Sequence, residues 1–321
     1  MESLGRFFDA VGAFFDGLAA VQFQALLIAI GLHLANQLLR SRGWFNILRA
    51  AYPETSFRWR RIYGAYVAGV GINALAPARG GDVVKVYAVR QSIEGSSTPT
   101  IVATLLAETV FDMIVASVLL TWAYFWGGLP SLPDLPSAPA FEWAFFARHQ
   151  REILIALIVL LFVGAIGLRW LARHVRAFWA RVGQGVTILR TPKRYLRYVV
   201  TYQAVGWLCR LGTAFFLLEA FNVHASLENA LLVLVVGSIS TLLPFTPGGA
   251  GAQQALLVIV LAGAATSSVL LAYSVGAQIT VTVVNVLVGF TALFLLFGGL
   301  RVSHIRSKAE TPPPEPAAKP G

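Results

Sequence analysis

Between Ser267 and Leu300 the chain carries no acidic or basic residue, and that one run dictates most of what can follow. About 20 consecutive apolar residues cross a bilayer as a helix, because a helix satisfies its own backbone hydrogen bonds where no water is present. Further runs at 19–39, 100–126, 152–171 and 198–220 approach or reach that length, and shorter apolar pieces lie at about 62–76, 83–93, 228–245 and 250–264. Composition agrees, with 57% of the 321 residues hydrophobic and 12% charged, about half the charged share of a soluble domain. The runs are continuously apolar rather than alternating, which argues against a β-barrel. The expected fold class is an all-α polytopic membrane protein built as a helix bundle.

The net charge of +10 would suit a nucleic-acid partner if the cations formed one face, but they sit beside apolar segments. Residues 40–61 hold Arg40, Arg42, Arg49, Arg58, Arg60 and Arg61 against Glu54 alone. Residues 169–197 hold seven arginines and Lys193 with no acid, and Arg301, Arg306 and Lys308 follow the last run. Basic loops of this kind face the cytoplasm, so no nucleic acid is expected. The segment 127–151, with Asp134 and Glu142, then lies outside. The single cysteine, Cys209, allows neither an intramolecular disulfide nor a cysteine metal site, and no cofactor or metal is expected. Residues 1–18 lack the features of a signal peptide. Leu4, Phe7, Val11, Phe14 and Leu18 fall on one helical face, as in an interfacial amphipathic helix; a frayed extension is the plain alternative. Residues 301–321, ending in a proline-rich stretch, read as a disordered cytoplasmic tail.

The loop assignments create a parity problem. With 40–61 inside, 127–151 outside and one crossing at 100–126, residues 62–99 must leave the cytoplasm and come back. The piece 62–76 makes only about 22 Å of helix, short of a hydrocarbon core of about 30 Å. A re-entrant hairpin with NALAPARGGD at its tip answers both points, since broken backbone is tolerated at membrane depth when buried in protein or lining a wet cavity. The second half repeats this from the other face, at LLPFTPGGAGAQQ (242–254). GINALAPARGGD (71–82) and SISTLLPFTPGG (238–249) align after one inserted residue. The order long helix, broken hairpin, long helix thus occurs twice, over about 19–126 and 198–299, within a transmembrane domain of 19–300. That is the pattern of an inverted-topology repeat with its binding site at the broken segments. The N-terminus is expected outside and the C-terminus in the cytoplasm.

Ionisable residues inside such spans are functional candidates. Glu108 and Asp112 lie four apart on one helical face and would repel unless a cation or a proton intervenes; Arg79 at the first tip is the expected cation. Arg210 stands alone in 198–220. Asp82 reads as a cap for a helix beginning near Val83. His33, Asn36, Gln37, Gln278 and Asn285 read as interhelical polar contacts. The pairs Gly80–Gly81 and Gly248–Gly249 would let backbone N–H groups approach an anion at a helix start, which with Arg79 suits a phosphate headgroup. No catalytic triad, HExxH, GxSxG or phosphate-loop motif is present, so no catalytic residues are expected.

PARGGDVVK (77–85), ETVFD (108–112) and TPGGAGAQQ (246–254) resemble three signature segments of the lysylphosphatidylglycerol synthase transmembrane-region family, described as flippase-like integral membrane proteins. The resemblance covers about 20–300. It implies that Pro77, Arg79, Gly80, Gly81, Glu108, Asp112, Pro247, Gly248, Gly249 and Gly251 occupy lipid-site positions. The chain departs from the pattern at Thr109, where the family often has Arg, and at Gln254, where it commonly has Glu. No soluble aminoacyl-transferase domain follows Leu300, so synthesis of a lysyl lipid is not expected. The expectation is a lipid flippase of the cytoplasmic membrane that moves an anionic phospholipid or (glyco)lipid-phosphate headgroup, with Glu108, Asp112 and Arg210 as intramembrane charges. The alternatives are a non-transporting partner or regulator of a separate membrane enzyme such as a glycosyltransferase, and an enzyme using Glu108 or Asp112 as base. The oligomeric state is left open.

Overall fold

The computed structural model describes residues 20–76, 80–125, 176–240 and 252–309. The expected interfacial helix at 1–18, the segment 127–151, the span 152–171, the tip residues Pro77, Arg79, Pro247, Gly248, Gly249 and Gly251, and tail residues 310–321 lie outside them.

The described residues are helical throughout, without strands: α1 Phe23–Ala51, α2 Trp59–Asn73, α3 Gly80–Ser92, α4 Thr98–Phe125 and α5 Arg176–Gly185. A 3-10 turn (Thr187–Arg190), a single helical turn (Pro192–Tyr195) and a π turn (Leu196–Val200) lead into α6 Thr201–Ala220. Then come α7 Leu227–Ser240, α8 Ala252–Val260 and α9 Ser267–Ala309. Among the described residues two helices are long and apolar enough to cross a membrane, Thr98–Ala123 and Ser267–Leu295, and only 33% and 17% of their most apolar windows are buried. A core helix of a soluble protein would be mostly covered. These helices instead expose Met113, Ile114, Val118, Leu287, Phe294 and Leu295, an apolar surface suited to lipid.

Two boundaries differ from the sequence reading. The basic stretch 40–61 is not a loop along its length: α1 continues to Ala51, about 44 Å in all, because Trp44, Phe45, Ile47 and Leu48 are core residues. The helix stops at Tyr52, and Pro53 follows, a residue before which helical backbone is disfavoured. At the other end of the chain α9 runs past Leu300 to Ala309, into the stretch expected as a disordered tail. Within the basic stretch 169–197 the chain forms α5, where Gln184 Nε2 donates to the Ala51 carbonyl at 2.7 Å.

Helices α1 and α6 run antiparallel along their length. Gln22 N–H donates to the Ala220 carbonyl at 2.8 Å at one end, and Gly43 faces Val199, Tyr202 and Gln203 at the other. Asn222 holds the turn after α6 in left-handed backbone at φ 57, a conformation Asn tolerates, and its side-chain amide donates to the Ala20 carbonyl at 2.9 Å. Helices α2 and α3 fold back on one another through glycines. A Cβ on Gly81 would collide with the Gly69 carbonyl oxygen, and one on Gly69 with the Lys85 side chain. Helix α9 crosses α2 where Gly289 meets Gly71, with a Cβ on Gly289 falling 2.7 Å from the Gly71 Cα. Small residues let helix backbones approach where burial against lipid supplies little driving force. Gly289→Val is therefore expected to destabilise by about 1–3 kcal/mol through overpacking; an unchanged thermal midpoint in detergent would show that the crossing can separate freely.

Two apolar cores result. One gathers around the C-terminal half of α1, with Ile62, Val67, Val89, Ile93, Ile101 and Ile188. The other gathers around Ala25 and Ala29 at its N-terminal end, with Leu217, Leu218, Leu234, Leu257, Leu270 and Tyr273. Residues 33–40 of α1 pass between them.

Candidate functional site

His33, Asn36, Gln37 and Arg40 recur at spacings of three and four, so α1 carries one polar stripe through the gap between the cores. Arg40 closes it. Its Nη2 donates to Asp112 Oδ2 at 2.6 Å and to Glu108 Oε1 at 3.0 Å, and its Nη1 donates to Asp112 Oδ1 at 3.1 Å. The pairing with Asp112 is the two-pronged arrangement that a planar guanidinium makes best. A fourth hydrogen bond runs from Nε to the Tyr66 hydroxyl at 3.0 Å. Glu108 and Asp112 thus share one cation, which removes the repulsion their spacing would otherwise produce.

Helix α6 supplies the opposite wall. Trp207 Nε1 donates to Asp112 Oδ1 at 2.9 Å, and the buried Gln203 Nε2 donates to the Glu108 backbone carbonyl at 3.1 Å. Arg210 lies one turn beyond Trp207, its guanidinium over the indole ring at 4.8 Å, and it makes no ion pair among the described residues. From below, Tyr195 donates to the Ala107 carbonyl at 3.4 Å. Burial pushes its phenol pKa up, with Asp112 and Glu108 adding to the shift, so Tyr195 remains a neutral donor there.

The α2–α3 hairpin joins the cluster through Tyr66. Lys85, buried, sits 4.7 Å from the Tyr66 ring centroid and pairs with Asp82 Oδ1 at 3.1 Å. Asn73 Nδ2 donates to the same Asp82 oxygen at 3.1 Å, and the Gly81 N–H donates to Asn73 Oδ1 at 2.7 Å. Helix α3 begins at Gly80, two residues before Asp82, so the Asp82 carboxylate lies in its first turn, where Asn73 and Lys85 engage it. The Gly81 N–H is likewise already satisfied, so the expected two-glycine anion cradle loses that donor. On the far side, His33 Nε2 lies 2.8 Å from Asn285 Oδ1, and Gln37 Nε2 donates to the same oxygen at 2.6 Å, an α1–α9 contact of the interhelical kind read from the sequence.

The structure brings together Glu108, Asp112 and Arg210 from the expected set, and places Gly80 and Gly81 at the start of α3; Arg79 and the second tip fall outside the described residues. It adds Arg40, Tyr66, Lys85 and Trp207, which sequence reasoning missed. Arg40 was assigned to a basic loop, yet its three-residue step from Gln37 continues the polar stripe, and that periodicity was the available signal. Lys85 closes the PARGGDVVK segment without being read as a partner. Among the described residues no group of His, Cys, Asp and Glu is placed to hold a metal ion.

A bundle that, among the described residues, is built of helices, exposes long apolar stretches and buries a hydrogen-bonded cluster of opposite charges has the character of a membrane protein. The family profile of the lysylphosphatidylglycerol synthase TM region matches residues 6–289, and the chain belongs to that family. Membership carries a membrane, lipid-related role. A search of curated proteins finds no match.

Proposed function

We propose that this protein is a lipid translocator that carries an anionic phospholipid or (glyco)lipid-phosphate headgroup across the cytoplasmic membrane, without chemistry on the lipid. The observation that carries this reading is the guanidinium of Arg40 held by two carboxylates in the gap between two apolar cores. Three cations (Arg40, Lys85, Arg210) and three carboxylates (Asp82, Glu108, Asp112) line that gap, and charge at membrane depth is costly enough to mark a pathway. The helix packing supports a two-fold repeat. Exchanging the halves maps α1 onto α6, α2 onto α7, α3 onto α8 and α4 onto α9, and both members of the exchanged pair, α2 with α9 and α7 with α4, are in contact. In this reading the α2–α3 and α7–α8 hairpins are re-entrant from opposite faces, the N-terminus lies outside, and the basic residues around the α2 start and α5 draw anionic lipid to the inner leaflet.

In this reading Arg79, in PARGGDVVK, and the glycines of TPGGAGAQQ contribute to headgroup binding together with Gly80. The test is translocation of labelled phosphatidylglycerol in reconstituted vesicles. Arg79→Ala is expected to slow it about tenfold, the worth of one charge-assisted hydrogen bond, with Arg79→Lys in between. Equal rates in wild type and Arg79→Ala would remove Arg79 from the site. Lipid mass spectra that change on incubation with the protein would replace transport with catalysis.

A further inference from the structure

We infer that Arg210 is a second phosphate contact, on the α6–α7 side of the bundle, which rests on the translocator reading above. The inference starts from an imbalance of partners. Both carboxylates of the central cluster are taken up by Arg40, and Asp112 also accepts from Trp207. Asp82 is taken up by Lys85 and Asn73. Arg210 makes neither an ion pair nor a hydrogen bond among the described residues; its guanidinium lies over the Trp207 ring at 4.8 Å. Residues 241–251, which follow α7 in the chain, contain no Asp or Glu.

Geometry leaves the guanidinium reachable. Arg210 is only partly covered. The neighbouring residue on α7 is Gly237, where even an added Cβ would come no closer than 3.8 Å to Arg210 Nη2. Among the described residues nothing else comes within 4 Å of that added Cβ. Trp207 holds the group from behind: its ring carries the cation and its Nε1 is anchored on Asp112. A planar fork presented edge-on, without a protein counter-ion, fits a phosphate oxygen pair. At membrane depth the phosphate at hand is that of a lipid headgroup, and a free phosphate shares the same chemistry.

Native mass spectrometry of protein released from nanodiscs with equal phosphatidylglycerol and phosphatidylethanolamine tests the contact. Wild type is expected to retain phosphatidylglycerol preferentially. Arg210→Gln should lower that preference about tenfold, and Arg210→Lys should lower it less. Gly237→Val keeps the cation but fills the space beside it, and should lower the preference even if Arg210→Gln proves unfoldable. Preference retained in both Arg210→Gln and Gly237→Val would overturn the Arg210 contact and leave the translocator reading standing. No preference in wild type would overturn the reading beneath it. Radiolabelled inorganic phosphate added to phosphatidylcholine nanodiscs separates the two sources: saturable binding that Arg210→Gln abolishes would assign the site to free phosphate rather than to lipid.

Discussion

Arg40→Ala is expected to destabilise the protein by about 3–5 kcal/mol, the cost of stranding a buried charge after its partner is removed. Here two carboxylates are stranded at once. The Glu108 side chain is 6% exposed and Asp112 27% exposed, so neither can turn fully to water. Tyr66 also loses its guanidinium donor, which loosens the link between the α2–α3 hairpin and α1. The measurement is thermal unfolding in detergent. Combining Arg40→Ala with Glu108→Gln and Asp112→Asn should restore most of the lost stability, because replacing every member of a buried ionic group costs far less than breaking it. A triple variant as unstable as Arg40→Ala would show that the loss came from packing of the arginine stem and not from the charges.

Gly81→Ala should unfold the hairpin region while Gly80→Ala is nearly silent, although the two glycines are adjacent. Among the described residues a Cβ at Gly80 meets only the Ala76 Cβ, at 3.4 Å, whereas one at Gly81 runs into the Gly69 carbonyl oxygen and comes within 2.8 Å of the Asn73 backbone nitrogen. Backbone cannot give way as a flexible side chain can, so the cost is at the upper end of the about 1–3 kcal/mol typical of overpacking, or beyond it. Limited proteolysis and thermal unfolding of the two variants report the contrast. Equal stability would mean that α2 and α3 separate readily, and the glycine pair would then have to be explained by ligand approach alone.

The helices were legible because a continuous apolar run can do little else in a bilayer, and the short pieces were legible because Pro77 and Gly248 interrupt them. The Glu108–Asp112 pair was legible from its four-residue spacing. Its partner was not. Arg40 follows an apolar run, and the rule that cations gather in cytoplasmic loops outweighed the stripe running from His33 through Gln37. Only burial of Trp44 and Leu48 shows that α1 continues past it. The same limit explains Trp207 and Lys85: periodicity names the face of a helix but not the helix opposite. Gly81 illustrates a different limit. A Gly-Gly pair at a helix start serves anion approach and close packing equally well on paper, and the choice depends on Gly69, which no local pattern ties to it.

The passage of α1 through both apolar cores has a consequence for how the protein is made. Synthesis delivers α1 first, and its C-terminal half finds Ile62, Val89 and Ile101 soon afterwards, whereas Ala25 and Ala29 must wait for Leu217, Leu234, Leu257 and Leu270. Until those residues emerge, the first half can offer the second core little beyond Leu119 and Trp122 of α4, so that core is completed only when the second half of the chain has been made.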